Sequence, residues 1–251
     1  MNDKPVAVIT GASRGIGYEL VKIYSANPEN TIIAISRNEQ KLNQLKNECQ
    51  TLYPNSKVIP LGFDLNEKNM EGLMAEVNKY MKTVNLLVNN AGAIVNKPFM
   101  EITSSDMETV FNVNVFGVIR LIQEILPMMV TKTRGHVINI SSVGGYQGSV
   151  KFAGLSAYSS SKAALACMTE CLAEEFKDMN VAFNCLALGA VQTDMLEEAF
   201  PGYRAPLTAS EMAEFISKFS VNAHKVMNGK VIPVSLSTPY ILVLSFVLLV
   251  V

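Results

Sequence analysis

Tyr158 and Lys162 are the two side chains of this sequence best placed to transfer a proton. They stand four residues apart in a stretch with helical periodicity, so both emerge on one helical face. A phenol with a pKa of about 10 is a poor acid or base near neutrality unless a neighbouring cation stabilises its phenolate. The spacing therefore predicts a site where Tyr158 gives its proton to a substrate oxygen and Lys162 stabilises the phenolate.

Ser142 is the candidate hydrogen-bond donor to the same oxygen. It stands in Ile140-Ser-Ser-Val143, at the C-terminal end of a predicted strand, where ligands bind in open α/β sheets. A lone tyrosine, serine or asparagine in such a position more often packs or caps than catalyses. The chemical interpretation therefore depends on an ordered set of four residues, Asn114, Ser142, Tyr158 and Lys162.

A glycine-rich loop follows the first predicted strand and opens a predicted helix. Small residues there permit a tight turn and close approach of the backbone to a pyrophosphate, and the helix N-terminus offers free N–H groups to the phosphates. A turn that binds no ligand is the alternative. The loop predicts a dinucleotide site whose candidate residues are Gly11, Ser13, Arg14, Gly15, Ile16 and Gly17.

The second predicted strand ends at Ser36 and Arg37, where a carboxylate would be expected in a site for a free ribose 2′-hydroxyl. A basic residue can instead pair with a 2′-phosphate, and Arg14 could supply a second cation. Arg37 as a solvated loop charge is the alternative. The missing acid and the two arginines together favour NADP(H) over NAD(H).

Strand-length apolar runs alternate with segments of helical periodicity along the chain. The predicted strands are Val6–Thr10, Thr31–Ser36, Lys57–Leu61, Asn85–Val88, His136–Ser141, Val181–Ala187 and Lys230–Val234. The predicted helices are Gly15–Ala26, Glu39–Leu52, Met70–Met81, Asp106–Val130, Ser159–Lys177 and Ser210–Phe219. This order predicts an α/β fold, a single-domain Rossmann-type doubly wound parallel sheet of seven strands in the order 3-2-1-4-5-6-7, with helices on both faces.

Composition narrows the functional classes. The 251 residues are 49% hydrophobic and 17% charged with a formal net charge of −1, which suits one large core. Lysine and arginine are scattered along the sequence and form no basic stripe that could neutralise the phosphates of a nucleic acid. We therefore expect no nucleic-acid partner. The beginning of the chain lacks the layout of a secretory signal, and a cytoplasmic location is predicted.

Cysteines and histidines indicate neither a disulfide framework nor a metal site. The four cysteines lack CxxC spacing and stand apart from both histidines, which fits a reducing compartment. Cys167 and Cys171 are four residues apart, and we expect them on one helix face as buried structural thiols.

The end of the chain is unusually apolar. Residues 231–251 carry no charge, so a membrane anchor has to be considered. Pro233 and Pro239 interrupt any helix, however, and only 12 residues follow Pro239, where a span needs about 20. We therefore predict a domain over residues 1–238 and an apolar tail over 239–251 that packs on the body or on another subunit, with membrane-surface association as the alternative.

Four motifs together resemble the short-chain dehydrogenase/reductase family. They are the Gly-x-x-x-Gly-x-Gly loop, Asn89-Asn-Ala-Gly92 after the fourth strand, Asn114 in Val-Asn-Val, and Tyr158-x-x-x-Lys162. The resemblance covers the chain from Val6 to about Val234. It implies an NADPH-dependent reductase of a small ketone or aldehyde, assembled as a homodimer or homotetramer through the two long helices.

The same resemblance implies roles for further residues. Asn114 would fix a water beside the lysine, and Val191 and Thr193 would hold the nicotinamide carboxamide. Asp64 would bind the adenine amino group, or cap a helix beginning at Leu65. The remaining cofactor positions that the resemblance implies are Leu65, Asn90, Ala91, Gly92 and Gly189.

Two departures from the family pattern affect the site. The separation of Ser142 and Tyr158 is 16 residues, longer than the family's usual spacing, so Ser141 and Ser149 are fallback candidates for the serine. Leu188 stands before Gly189 where the family commonly has proline, which predicts a looser loop with binding retained. The loop from Asp194 to Leu207 is predicted to be the most mobile element.

Two other functions compete with small-molecule carbonyl reduction. The segment Asn228-Gly-Lys-Val-Ile-Pro-Val resembles the last strand of 3-oxoacyl-[acyl-carrier-protein] reductases. Lys132 and Arg134 could form a basic entrance for an acidic carrier, but their interpretation as solvated surface charges is favoured. A catalytically silent NADPH-binding scaffold or regulatory protein is the alternative of another class. The intact set of four polar residues favours an enzyme over the scaffold.

Overall fold

The structure, a computed structural model, describes residues 5–130 and 133–236. The predicted apolar tail, 239–251, and Lys132 lie outside the described residues. The division into a domain over 1–238 and a tail therefore stays a prediction.

A parallel sheet of seven strands forms the centre of the fold, in the order β3-β2-β1-β4-β5-β6-β9. The described strands are β1 (Val6–Thr10), β2 (Thr31–Ser36), β3 (Lys57–Gly62), β4 (Leu86–Asn89), β5 (Gly135–Ser142), β6 (Val181–Leu188), β7 (Val191–Gln192), β8 (Leu207–Thr208) and β9 (Lys230–Val234). The predicted fold class, strand count and strand order are confirmed, with β9 as the predicted seventh strand.

Helices cover both faces of the sheet. The described α-helices are α1 (Gly15–Ser25), α2 (Glu39–Leu52), α3 (Glu71–Tyr80), α4 (Ser104–Phe111), α5 (Gly117–Met129), α6 (Ser156–Glu175), α7 (Asp194–Ala199) and α8 (Ala209–Asn222). Helices α1, α2 and α8 contribute to the core on one face, and α3, α5 and α6 contribute to the core on the other.

Alternate residues of the first strand enter different cores. Val6 and Val8 pack in one hydrophobic cluster, and Ala7 and Ile9 pack in the other, all less than 8% exposed. A strand buried on both faces needs apolar side chains at successive positions. This explains why β1 has a continuous apolar run. Because all seven strands run parallel, their C-terminal ends lie along one edge of the sheet.

The long predicted helix Asp106–Val130 is present as the continuous helical run Ser104–Met129, which contains one irregular turn. A π-helical turn, Asn112–Phe116, separates α4 from α5. Together these segments, Ser104–Met129, are the one helix in the described residues long and apolar enough to cross a membrane, and half of its most apolar window is buried inside the fold. The buried half is explained by packing on the sheet.

The prediction that Asp194 to Leu207 is a loop is wrong in part, and its mobility stays a prediction. Helix α7 occupies its first half, and β7 and β8 pair as a separate two-stranded parallel sheet. The Thr193 hydroxyl accepts a hydrogen bond from the Leu196 N–H at 3.3 Å, which caps α7. Threonine at this position and the acidic first turn of α7 were the local signals of a helix.

Two predicted buried thiols are exposed. Cys167 and Cys171 lie on the outer face of α6, whereas Cys49 and Cys185 are buried. Leu165 and Thr169 are buried on the face of α6 that packs on the sheet, so the two cysteines lie on the opposite, exposed face. All four thiols are free, and no group of three metal-binding side chains occurs in the described part of the chain.

Candidate active site

One large cleft, about 640 Å³, opens where the strands of the main sheet end. It joins the glycine-rich loop after β1 to the segment before α6. Predicted residues that line it are Gly11, Ser13, Arg14, Gly15, Ile16, Ser36, Arg37, Asp64, Leu65, Asn90, Ala91, Gly92, Ser142, Tyr158, Lys162, Gly189, Val191 and Thr193. The structure thus brings almost the whole predicted set together.

The glycine-rich loop is shaped by close backbone approaches. Gly11 has φ +67°, and a Cβ there would lie 2.8 Å from Ala91 Cα. A Cβ at Gly17 would lie 2.5 Å from the Gly11 carbonyl oxygen. The Asn90 side chain donates to the carbonyl oxygens of Thr10 and Gly11 at 3.0 and 3.3 Å. Only glycine fits at these two positions, and the resulting cradle fits a pyrophosphate at the N-terminus of α1.

The polar groups at the ends of β2 and β3 line the cleft beside the glycine-rich loop. Ser36 donates a hydrogen bond to the Ser13 hydroxyl at 2.7 Å, and Arg37 is exposed with no ion pair in the described ranges. Asp64 accepts from the Asn66 N–H at 3.0 Å. Asp64 therefore closes a turn, and the suggestion that it caps a helix is wrong, because α3 begins only at Glu71.

Arg14 is already paired in this structure. Its guanidinium donates to both carboxylate oxygens of Glu198 on α7, at 2.5 and 3.2 Å, and Asp194 lies 3.6 Å away. Arg14 as a second cation for a 2′-phosphate stays a prediction, and a phosphate there would have to displace these carboxylates. The unpredicted helix α7 brings these carboxylates to it.

Tyr158 and Ser142 meet at the other end of the cleft. Burial raises the pKa of Tyr158 to about 12, and a hydrogen bond with Ser142 acts in the opposite direction. The Ser142 hydroxyl also accepts a hydrogen bond from the Gly144 N–H at 3.1 Å. The Gly144 N–H uses one of the two acceptor sites of the Ser142 oxygen. The Ser142 O–H remains a donor that can be directed to an oxygen in the cleft.

Lys162 is buried beside this pair. Its Nζ donates to the Ile140 carbonyl oxygen at 2.7 Å and lies 5.9 Å from the centre of the Tyr158 ring. Burial lowers the pKa of Lys162 to about 8, with an opposing effect of Cys185. The expected depression of the phenol pKa by the lysine is not seen. Lys162 is buried and Tyr158 is partly buried, which disfavours each charged form, and the ammonium is turned towards a backbone carbonyl.

Asn114 lies in the π-helical turn and is fully buried. Its Oδ1 accepts from the Ala93 N–H at 2.7 Å, and its Nδ2 donates to the Ala93 carbonyl and to the Ser161 hydroxyl at 2.9 Å each. Its Oδ1 and Lys162 Nζ lie 3.4 and 3.5 Å from the position a Cβ on Gly92 would take. The π turn, a feature frequent at functional sites, thus brings the asparagine to the lysine.

The fallback serines point elsewhere. Ser141 is buried and donates to the Lys162 carbonyl oxygen at 2.8 Å, and Ser149 donates to the Val150 carbonyl oxygen at 3.3 Å. Of the three serines, Ser142 is the one whose side chain acts on the pKa of Tyr158, which it lowers. The longer loop after β5 therefore leaves the serine at the strand end in place.

The segment after β6 borders the same end of the cleft. The Gly189 N–H donates to the Val234 carbonyl oxygen at 2.8 Å, Val191 begins β7, and the Thr193 hydroxyl caps α7. The backbone after Leu188 is thus held to β9 without proline. Thr193 lines the cleft in addition to capping α7.

Several residues of the site were missed in the sequence. The cleft beyond Tyr158 is lined by large apolar side chains, among them Val143, Phe152, Leu155, Met195, Leu196, Phe200 and Tyr203. Residues 195–203 approach the cleft only because α7 folds back over it, so no local periodicity marks them. Gly145 was missed too, although a Cβ there would lie 2.6 Å from Ala163 N and 2.8 Å from Lys162 Cβ.

The geometry combines two functions in one cleft. One end has a glycine cradle and a helix N-terminus suited to phosphates. The other end has a phenol, a hydroxyl and a buried amine that can bind and protonate an oxygen. Their union suits a reaction between a bound dinucleotide and a small molecule.

Comparisons with known proteins agree with this geometry. Residues 5–204 match the family described as short chain dehydrogenase. The chain is 29% identical to an uncharacterized oxidoreductase of Staphylococcus epidermidis, over 84% of this chain and 88% of that protein. It is 32% identical to the 3-oxoacyl-[acyl-carrier-protein] reductase of Aquifex aeolicus, over 76% and 75%. A short chain dehydrogenase of Escherichia coli CFT073, solved with NADPH, superposes with a TM-score of 0.82 at 25% identity, over 92% of this chain and 96% of that one.

Proposed function

Because the chain belongs to the short-chain dehydrogenase family and is therefore an NAD(P)-dependent oxidoreductase, we propose that it reduces a ketone or aldehyde to an alcohol with NADPH. The observation that carries this proposal is the convergence of Ser142, Tyr158 and Lys162 in the cleft that also contains the glycine-rich loop. A bound oxygen there meets two hydroxyl donors within reach of a dinucleotide.

The four polar residues have distinct parts in this proposal. Tyr158 passes its hydroxyl proton to the carbonyl oxygen, and Ser142 donates a hydrogen bond to the same oxygen. Lys162 supplies positive charge beside the phenol, and Asn114 positions the backbone at Ala93 and the helix at Ser161. Bound NADPH would supply the hydride.

The preference for NADPH rests on the end of β2. Arg37 is exposed at the cleft with no ion pair in the described ranges, so it can pair with a 2′-phosphate without displacing a protein carboxylate. The Escherichia coli structure that resembles this chain is described as complexed with NADPH. The residues that would hold the cofactor are those of the cradle, Arg37, Asp64, Leu65, Asn90–Gly92, Tyr158, Lys162 and Gly189–Thr193.

The walls beyond Tyr158 favour an uncharged, apolar carbonyl substrate. Phe152, Phe200 and Tyr203 surround that end, and the cations that line the described cleft are Arg14, Arg37 and Lys162. Two of these lie at the phosphate end and the third is buried. Nothing in this lining matches a substrate carboxylate, so binding depends on burial of apolar surface.

Reduction of a 3-oxoacyl group on a carrier protein is the second candidate, favoured by the similarity to the Aquifex aeolicus reductase. An acidic carrier needs a basic platform around the cleft mouth. Arg134 lies immediately before Gly135, at the N-terminal end of β5, whereas the cleft is at the C-terminal ends. Arg134 therefore cannot form that entrance, which weakens the carrier function relative to a free small molecule.

Assembly and location complete the proposal. We expect a homodimer or homotetramer formed through the outer faces of the helical run Ser104–Met129 and of α6, which expose Met107, Phe116 and Cys167. The four free thiols fit a reducing cytoplasm. The mass of the purified protein in solution tests the first expectation.

Steady-state oxidation of NADPH with a matched substrate panel tests the function. The panel contains apolar ketones, diketones and aldehydes, their carboxylated analogues, acetoacetyl thioesters and an acetoacetyl carrier protein. We expect turnover of the uncharged apolar carbonyls and little of the carboxylated analogues. Preferential turnover of the carrier protein would support the second candidate, and NADPH binding without turnover of any substrate would favour a scaffold.

A further inference from the structure

The side chain of Arg14 connects the phosphate cradle to α7. Arg14 is the residue that precedes the first turn of α1. Its two terminal nitrogens donate to the two carboxylate oxygens of Glu198, at 2.5 and 3.2 Å, and Asp194 lies 3.6 Å from one of them. This is the paired geometry in which guanidinium binds carboxylate, and also phosphate, most strongly.

Glu198 lies close to a second cation of the same region. Besides the hydrogen bond from Arg14, the charge of Lys41 also lowers the pKa of Glu198. Lys41 stands in the first turn of α2, four residues after Arg37. The Glu198 carboxylate thus lies near two cations, Arg14 in the loop after β1 and Lys41 in the segment after β2.

Helix α7 is held close to the cradle by packing as well. The position of a Cβ on Gly15 is 3.3 Å from the methyl carbon of Thr193, the cap of α7. Arg14, Thr193 and Asp194 all line the cleft. A ligand group that binds Arg14 in place of Glu198 therefore removes a contact between the glycine-rich loop and α7.

We propose that Glu198 is a specificity-determining residue that competes with the ribose 2′-phosphate of the cofactor for Arg14. The inference rests on the proposed use of NADPH. A phosphate offers the oxygen pair that the guanidinium now finds on Glu198, with more negative charge. A dinucleotide without that phosphate leaves the Arg14–Glu198 pair intact. Glu198 therefore weakens binding of NADP(H) and leaves that of NAD(H) unchanged.

The size of the effect follows from exposure. The side chains of Arg14 and Glu198 are 40% and 60% exposed, so solvent screens the pair and its loss costs little. Removing the competing carboxylate should tighten NADP⁺ binding about twofold to fivefold, the range of an exposed ion pair. The effect should shrink at high salt, because exposed pairs are screened.

Calorimetric titration of the purified chain with NADP⁺ and with NAD⁺ tests the inference. Glu198→Gln should bind NADP⁺ about twofold to fivefold more tightly than the wild type, with NAD⁺ affinity unchanged. Glu197→Gln is the matched control on the same helix, because Glu197 accepts from the Gly202 N–H and has no contact with Arg14 in the described residues. In an Arg14→Gln background, Glu198→Gln should have no effect.

The outcomes separate this inference from the cofactor proposal. A wild type that binds NAD⁺ as tightly as NADP⁺ would overturn the cofactor proposal and remove the basis of competition. A wild type that prefers NADP⁺, with Glu198→Gln binding it no more tightly, would overturn the inference alone. Equal tightening towards both dinucleotides, or tightening that persists without Arg14, would also overturn it.

Discussion

The Lys162 ammonium donates a 2.7 Å hydrogen bond to the carbonyl oxygen of Ile140 in β5. Lys162 is buried, and this hydrogen bond holds it at the end of the strand that also carries Ser142. The amine is therefore positioned before any cofactor binds, but at the cost of burying a charge. This makes its protonation sensitive to pH.

We expect kcat/KM for carbonyl reduction to fall above about pH 8. Burial lowers the pKa of Lys162 to about 8 and raises that of Tyr158 to about 12. On raising the pH, the lysine therefore loses its charge first, while the phenol keeps the proton it must donate. Lys162→Arg stays charged throughout, so its profile should lack this fall even if its rate is lower. A flat wild-type profile to pH 10, or the same fall in Lys162→Arg, would contradict the assignment.

Tyr158→Phe should lower kcat by roughly 10²- to 10⁴-fold, the usual contribution of a general acid. Removal of one hydroxyl leaves the glycine cradle intact, so the Kd of NADPH measured by fluorescence titration should stay within about twofold. Tyr203→Phe removes a hydroxyl from another cleft-lining tyrosine and serves as the control, with kcat near that of the wild type. Comparable losses in both variants would remove Tyr158 from its assigned role.

Arg37→Asp should raise the Kd of NADPH about tenfold to a hundredfold, the loss of a charge-assisted hydrogen bond, and shift the preference towards NADH. The physical reason is that a carboxylate repels the 2′-phosphate and can accept from a free 2′-hydroxyl. Lys218→Asp makes the same charge change on α8, at a side chain that does not line the described cleft, and should leave both affinities unchanged. Unchanged selectivity in Arg37→Asp would exclude Arg37 from the site.

Gly145→Ala should disturb the position of Lys162. The added Cβ would lie 2.6 Å from Ala163 N and 2.7 Å from the Lys162 carbonyl carbon, so α6 must shift, at about 1–3 kcal/mol of stability. Gly72→Ala is the control, since nothing lies within 4 Å of its Cβ position and alanine favours a helix interior. Urea unfolding measures the loss of stability, and kcat measures the effect of the shifted lysine on activity. A Gly145→Ala variant as stable and as active as Gly72→Ala would contradict the close approach.

His136 should make the fold sensitive to acid. Its Nδ1 faces the Ser220 carbonyl at 2.9 Å and its Nε2 faces Asn184 Nδ2 at 3.0 Å. Asn184 Oδ1 accepts from the Lys230 N–H, so the amide is oriented with its donor towards the ring and the imidazole must be neutral. Burial lowers the pKa of His136 to about 4, with smaller effects of His224 and Arg134 in the same direction.

Because the folded pKa lies below that of an unfolded histidine, about 6.5, the folded chain binds fewer protons between these values. The free energy of unfolding should therefore fall as the pH drops from about 6.5 to about 4, by about 3 kcal/mol from this group. Urea unfolding over this range should show a shallower fall in His136→Gln. His224 does not bond to Asn184, so the control variant His224→Gln should keep most of the fall in unfolding free energy. Identical curves for the wild type and His136→Gln would contradict the prediction.

Much of the fold follows from local sequence. The continuous apolar runs of β1 and β6 predict strands buried on both faces, and the helix-length connections between them then allow few topologies. The glycine-rich loop could also be identified, because its type and its position between a strand and a helix together specify a phosphate cradle. The spacing of Tyr158 and Lys162 required only that α6 be a helix.

Other features depend on contacts between distant parts of the chain. The pairing of Arg14 with Glu198 spans 184 residues and cannot be inferred from either local segment. The π turn at Asn114, the exposed thiols of α6 and the apolar wall from α7 likewise depend on how helices meet the sheet. The pKa values of Tyr158 and Lys162 belong to this group as well, because burial is a property of the packed core.

Sequence alone thus determined the order of the elements and the residue types that converge at one edge of the sheet, since periodicity and strand direction are local properties. The tertiary structure decided which of those residues are already paired and how deeply each is buried. Charge pairing and desolvation depend on neighbours far along the chain, and these effects set the protonation and availability of Arg14, Tyr158 and Lys162.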